Sequence, residues 1–271
     1  MAASIIWRIW DIKEAKQGQI YEITVFLCGR TAQQSKQRLQ GIREYASEQN
    51  IQLSMIDLSK RETSEQGERI EAELKYGIDG IWVDMPDAAL KETLEKAAQK
   101  VPIVFTDADW NSNIMTQLRY HYEEMGIRLL EEACNGNKTD TCIIVTKKET
   151  IGNETDIQNK IILDFISSEG KKRNITIKQM ECNDFSKYEG ACIAIGIGTD
   201  PDLLALLEQG KIQKLLVLDE FGKGYMAGKL LKEMIHSPAR IMEEKMENEY
   251  FIISPDTMFD AKYEKIVFTE R

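Results

Sequence analysis

Ile78-Asp79-Gly80-Ile81-Trp82-Val83-Asp84-Met85-Pro86, then the charged stretch Asp87 to Lys100, then Val101-Pro102-Ile103-Val104-Phe105-Thr106-Asp107, decide how this chain folds. Both outer runs are short, apolar and rich in β-formers, and each ends in turn-forming residues. Such runs read as strands, and the segment between them has helical spacing, which makes a strand–helix–strand unit. The strands are apolar throughout instead of alternating, as expected where helices cover both faces of a parallel sheet.

The same unit recurs on either side. Upstream, Ile23 to Leu27 and Ile51 to Ile56 are strand-like. Gln33 to Gln49 and Thr63 to Tyr76 are helical, the second stopped by Gly77. Downstream, helices are expected at His121 to Ala133, Glu154 to Ser168, Asp200 to Glu208 and Tyr225 to Ile235. Strands are expected at Cys142 to Val145, Ile175 to Met180, Ala191 to Ile197 and Leu215 to Leu218. Two α/β sub-domains with parallel sheets follow, divided near Asn113 to Arg119.

Composition narrows the function. The chain has 271 residues, 42% hydrophobic and 30% charged, with a net charge of −10. A surface of that sign repels a phosphate backbone, so nucleic acid is not an expected partner. The two histidines, His121 and His236, lack ligand-like spacing, so no metal site is expected. The five cysteines are odd in number and form no CxxC pair; most read as small buried hydrophobes. Near the N-terminus, Ile5-Ile6-Trp7 is interrupted by Arg8 and is far short of a membrane span. Residues 1–20 read as an N-terminal arm or amphipathic helix, the alternative being the stub of an export anchor.

Ligands of open α/β sheets bind beyond the carboxyl ends of the strands. The loops there are polar: Gly29-Arg30-Thr31-Ala32-Gln33-Gln34, Asp84-Met85-Pro86-Asp87, Thr106-Asp107-Ala108-Asp109-Trp110-Asn111 and Lys147 to Asn153. They suit a polar, uncharged ligand. Catalysis is poorly supported. Gly196-Ile197-Gly198 is only part of a dinucleotide fingerprint, and neither a phosphate-binding GxxxxGK[ST] loop nor a GxSxG elbow occurs. No cofactor, no metal and no catalytic residue are therefore expected.

Val101 to Asp107, preceded by Ile78 to Val83, resembles the "gvDgIiv … iPvv.iD" pattern of type I periplasmic binding proteins, the sugar-binding proteins of ABC importers, related to LacI-type effector domains. Asp202 to Gln213 followed by Leu215 to Tyr225 is similar to the family segment where a lobe-crossing strand enters a helix. Ser254 to Asp260 before Lys265 to Phe268 resembles its closing segment. The resemblance spans roughly residues 21–271.

It implies a two-lobed type I periplasmic-binding-protein-like α/β fold, with parallel sheets flanked by helices and sugar hydroxyls held in the cleft. Lobe 1 would be 21–118 plus 219–250, and lobe 2 would be 119–218 plus 251–271. Asp107 matches an aspartate that takes sugar hydroxyls in this family. Asp109 and Asn111 could add planar polar groups and Trp110 a stacking ring. A turn-capping Asp107 and a Trp110 packed between the lobes fit the same residues.

The sequence also departs from the family. Arg30, Gln33 and Gln34 replace the usual groups after the first strand. Gln158 stands near the place of an arginine, with Asn153 and Asp156 close by, and Asp219 is the polar residue left near the lobe crossing. Between Ile177 and Ile197 the second lobe is short, as if lacking one βα unit and its ligand-binding asparagine.

The implied role is a non-enzymatic solute-binding protein taking a small polar molecule, a sugar in particular, by hinge closure. Its partner would be an ABC permease or a membrane sensor kinase. No span crosses the membrane in this chain, and the place would be the extracellular face or periplasm, or the cytoplasm if the chain is complete. A degenerate sensor module acting through protein–protein contact and a cytoplasmic regulator effector domain are the alternatives.

Overall fold

The computed structural model describes residues 20–28, 32–108, 110–137, 139–147, 155–237, 244–245 and 250–267. Apart from residue 20, the N-terminal arm expected from the sequence lies outside them. The first part of the chain runs β1 (Tyr21–Leu27), α1 (Ala32–Glu48), β2 (Ile51–Asp57), α2 (Thr63–Glu73), β3 (Gly80–Asp84), α3 (Lys91–Ala97), β4 (Ile103–Thr106) and β5 (Thr116–Arg119). Then follow α4 (Tyr122–Cys134), β6 (Thr141–Thr146), α5 (Thr155–Lys172), β7 (Thr176–Glu181), α6 (Cys182–Phe185), β8 (Ile193–Ile197), α7 (Pro201–Glu208) and β9 (Lys214–Leu218). The chain continues with α8 (Glu220–His236), β10 (Glu244–Lys245), β11 (Tyr250–Ile253) and α9 (Glu264–Val267).

The described residues fall into two compact units: those within 20–28, 40–119 and 224–245 form the first, and those within 32–39, 120–223 and 250–267 the second. The first contains a six-stranded sheet in the order β10-β5-β4-β3-β1-β2, parallel throughout. Every residue of β3 and of β4 is buried, which is why both runs are apolar end to end. Phe26, Ile81, Val83, Ile103 and Phe105 face Ile70, Leu90 and Leu94 of the α2 and α3 layer. On the other face a Cβ at Gly80 would stand 3.3 Å from Leu231, so glycine lets α8 approach β3 closely. Gly77, at φ +82°, ends the turn after α2 in the left-handed conformation that glycine tolerates best.

The second unit holds a five-stranded sheet in the order β11-β9-β8-β6-β7, with β11 antiparallel to β9 and the other pairs parallel. Ile143, Val145 and Ala194 pack with Leu203, Leu207 and Ile253 on one face; Cys142, Ile144 and Ile195 meet Leu129 and Ile162 on the other. α7 starts as its sequence dictates: Asp200 accepts from the Asp202 N–H at 3.0 Å, and Pro201 fills the first turn. The shortening of this half is located between β7 and β8. There the connection is carried by the single-turn α6, Cys182–Phe185, and the sheet among the described residues has five strands.

Two elements differ from the sequence reading. Thr116 to Arg119, read as a boundary, is a buried strand pairing with β4. Its Thr116 and Gln117 conceal it, because a buried strand is recognised by apolar side chains. α8 begins five residues before Tyr225, with Asp219 accepting from the Gly222 N–H at 2.7 Å across its first turn. No disulfide joins the five cysteines. Burial pushes the Cys142 thiol up to about 12, so it is an inert core residue.

Candidate functional site

In the first unit the carboxyl ends of the strands are tied into a staircase of main-chain bonds. The Cys28 N–H donates to the Asp84 carbonyl at 3.0 Å, Met85 to Thr106 at 3.1 Å, and Asp107 to Leu118 at 3.3 Å. Each bond extends the ladder one residue past a strand. Met85 (φ +55°) and Asp107 (φ +52°) adopt the left-handed conformation there, which methionine rarely enters and aspartate enters more readily than most residues with a Cβ. Strain of this kind gathers at ligand-binding sites when the surroundings over-determine it.

The surroundings do so here. The buried Thr106 hydroxyl donates to Asp84 Oδ1 at 2.6 Å, and the Gln117 amide donates to the Ala108 carbonyl at 2.8 Å. Trp110 lies flat on Phe105, with ring centroids 4.5 Å apart and planes 13° from parallel. The Lys91 ammonium stands 5.8 Å from the Trp110 ring centroid. The Trp110 indole N–H is buried and meets no acceptor among the described residues. Asn111 is exposed and accepts a long 3.5 Å contact from Arg119.

In the second unit the corresponding edge is ionic. The Lys147 ammonium pairs with Asp200 after β8. Both Asp200 oxygens are then engaged, one by Lys147 and one by the helix cap. After β9, Asp219 is half-buried; burial raises its carboxyl above the ordinary range, the Gly222 N–H opposes this, and neighbouring Glu220 adds to the rise. Next to it lies a buried ionic cluster. Arg38 pairs with Glu220, their side chains 0% and 2% exposed, and the Lys223 ammonium sits 3.4 Å from the Tyr120 ring centroid.

Of the ten residues singled out from the sequence, Asp107, Trp110 and Asn111 fall on one turn of the first unit, and Asp219 starts α8. Gln33 and Gln34 are described as backbone of α1 and Gln158 as backbone of α5; Arg30, Asp109 and Asn153 lie outside the described residues. Sequence reasoning named Asp84 and Thr106 only as parts of polar loops, without a site role, and missed Gln117, which also holds the turn, and the Arg38–Glu220 pair. The acid closing the apolar run Gly80–Val83 was the available signal for Asp84. Arg38 and Glu220 are 182 residues apart, and nothing local connects them.

No family model and no curated protein matches the sequence. Solved structures share this fold of α/β units built on mostly parallel sheets. A periplasmic ribose ABC transporter protein from Conexibacter woesei is 12% identical, with a TM-score of 0.69 over 93% of this chain and 99% of that one. An ABC transporter solute-binding protein from Agrobacterium vitis, solved with bound D-fucose, is 13% identical, with a TM-score of 0.65 over 91% and 100%. An "ABC transporter, LacI family transcriptional regulator" from Brachyspira murdochii is 10% identical, with a TM-score of 0.66 over 92% and 99%. The chain therefore has the type I periplasmic-binding-protein fold, and at these identities the fold is what they share.

Proposed function

We propose that this protein binds a small polar solute, a sugar, without transforming it, and presents the bound state to an ABC permease or a membrane sensor outside the cytoplasmic membrane. The observation that carries the reading is the turn at Asp107. A carboxylate is held there in a left-handed backbone conformation just past the end of β4, and three residues on in the same loop the buried Trp110 N–H meets no acceptor among the described residues. A carboxylate that accepts and an indole that donates match a hydroxyl group, which does both. Solved proteins of the same fold carry D-fucose and D-arabinose, which supports the class of ligand. Catalysis is not part of the proposal, and a solute binder of this kind acts by shifting a conformational equilibrium. Among the described residues, no helix is long and apolar enough to cross a membrane.

The abbreviated α6 connection favours a second reading, a degenerate sensor module that works by contact with another protein. A thermal-shift screen against pentoses, hexoses, 6-deoxyhexoses and inositols separates the two. A solute at 100 times its Kd adds about 2.7 kcal/mol of stability. At roughly 2–4 °C per kcal/mol for a chain of this size, the shift is on the order of 5–10 °C. One saturable hit supports the solute binder; a flat screen with a cooperatively melting protein favours the contact module.

A further inference from the structure

Asp107 stands between two buried pins. On its N-terminal side Thr106, 0% exposed, donates its hydroxyl to the carboxylate of Asp84, which is 1% exposed. On its C-terminal side Gln117 of β5, 5% exposed, donates to the carbonyl of Ala108. The two pins come from different strands, and together they bracket the one residue of the turn at φ +52°. A left-handed aspartate is not the ground state of a free loop, so the direction of its side chain depends on what holds its neighbours. Burying an amide and a carboxylate against a loop also carries a desolvation cost that an apolar pair at the same places would avoid.

We propose that Asp84 and Gln117 are positioning residues: through Thr106 and Ala108 they fix the backbone that aims the Asp107 carboxylate at the solute. The inference rests on the solute-binding reading for its consequence, and on the two hydrogen bonds for its mechanism. Asp84 and Gln117 act through the turn and need not touch the solute themselves. Their effect on affinity is therefore separable from their effect on stability.

The test is the double variant Asp84→Leu/Thr106→Val beside Gln117→Leu, with Thr106→Ser as the conservative control. Replacing both partners of the first pin by apolar groups of similar size leaves no orphaned carboxylate in it. Hydrogen–deuterium exchange over residues 106–111 reads the pin directly, and thermal-shift titration with D-ribose, D-arabinose and D-fucose reads its consequence. The expected result is at least ten-fold faster exchange in that segment, with β1 and β3 unchanged, and at least a ten-fold rise in Kd for the sugar that binds. Thr106→Ser, which keeps the hydroxyl, should match the wild type in both. Unchanged exchange and unchanged affinity in the double variant and in Gln117→Leu would overturn the proposal. If the double variant does not fold, Gln117→Leu decides alone. A wild type that binds none of the three sugars, while the variants still exchange faster at 106–111, refutes the sugar reading and upholds the pins.

Discussion

Asp107→Gly and Asp107→Ala should separate the conformation of the turn from its function. Both remove the carboxylate, so whatever it binds is lost equally in the two variants. They differ in backbone. At φ +52° an alanine Cβ meets the steric penalty of the left-handed region, roughly 1–2 kcal/mol, which glycine escapes. Glycine gives back about 0.5–1 kcal/mol through the greater freedom of its unfolded chain. The balance leaves Asp107→Gly more stable than Asp107→Ala by about 1 kcal/mol, or roughly 2–4 °C in Tm. Urea melts with a common m-value, checked by thermal melts, measure that gap. In the presence of the sugar that shifts the wild type, neither variant should shift. An alanine variant as stable as the glycine variant would refute the left-handed turn, and a retained sugar shift in either would refute the role of its carboxylate.

Other expectations follow from the same geometry. Arg38→Met strips the partner from a carboxylate 2% exposed and should lose about 3–5 kcal/mol, whereas Arg38→Met/Glu220→Leu should recover most of it; chemical melts of both variants measure the difference, and equal losses would contradict it. Gly126→Ala should destabilise by about 1–3 kcal/mol, because its Cβ would lie 2.9 Å from the Ile162 carbonyl where α4 meets α5; an unchanged melt would exclude that close packing. Asp219 is protonated more readily in the folded than in the unfolded chain, so its contribution to stability is present at acid pH and lost as pH rises through its raised folded value. Asp219→Asn, which can still accept from the Gly222 N–H, should therefore gain on the wild type as pH rises from 3 to 8; a gap that stays constant across urea melts in that range would contradict it.

The parallel strands were legible because burial on both faces forces them to be apolar. β3 and β4 show this best, and their spacing defines the unit that the rest of the chain repeats. β5 was not legible, since its buried Thr116 and Gln117 look like loop residues until Gln117 is seen holding Ala108. Within the site, Asp107 and Trp110 could be picked out as polar and aromatic groups following a strand. What could not be read was the hand of the backbone. Met85 and Asp107 take a positive φ where their N–H groups bond to Thr106 and Leu118 on neighbouring strands, a tertiary setting that no local pattern encodes. The Arg38–Glu220 pair was hidden for a related reason: two charged residues on separate helices read as solvated faces until packing buries them together.

The central claim is that this protein captures a sugar through Asp107, and calorimetric titration of the intact chain with the sugar selected by thermal shift tests it most directly. The account predicts one saturable site per chain in the wild type, and no detectable heat of binding in a folded Asp107→Ala variant. A wild type that melts cooperatively yet gives flat titrations with every sugar, or an Asp107→Ala variant that binds as tightly as the wild type, would contradict it.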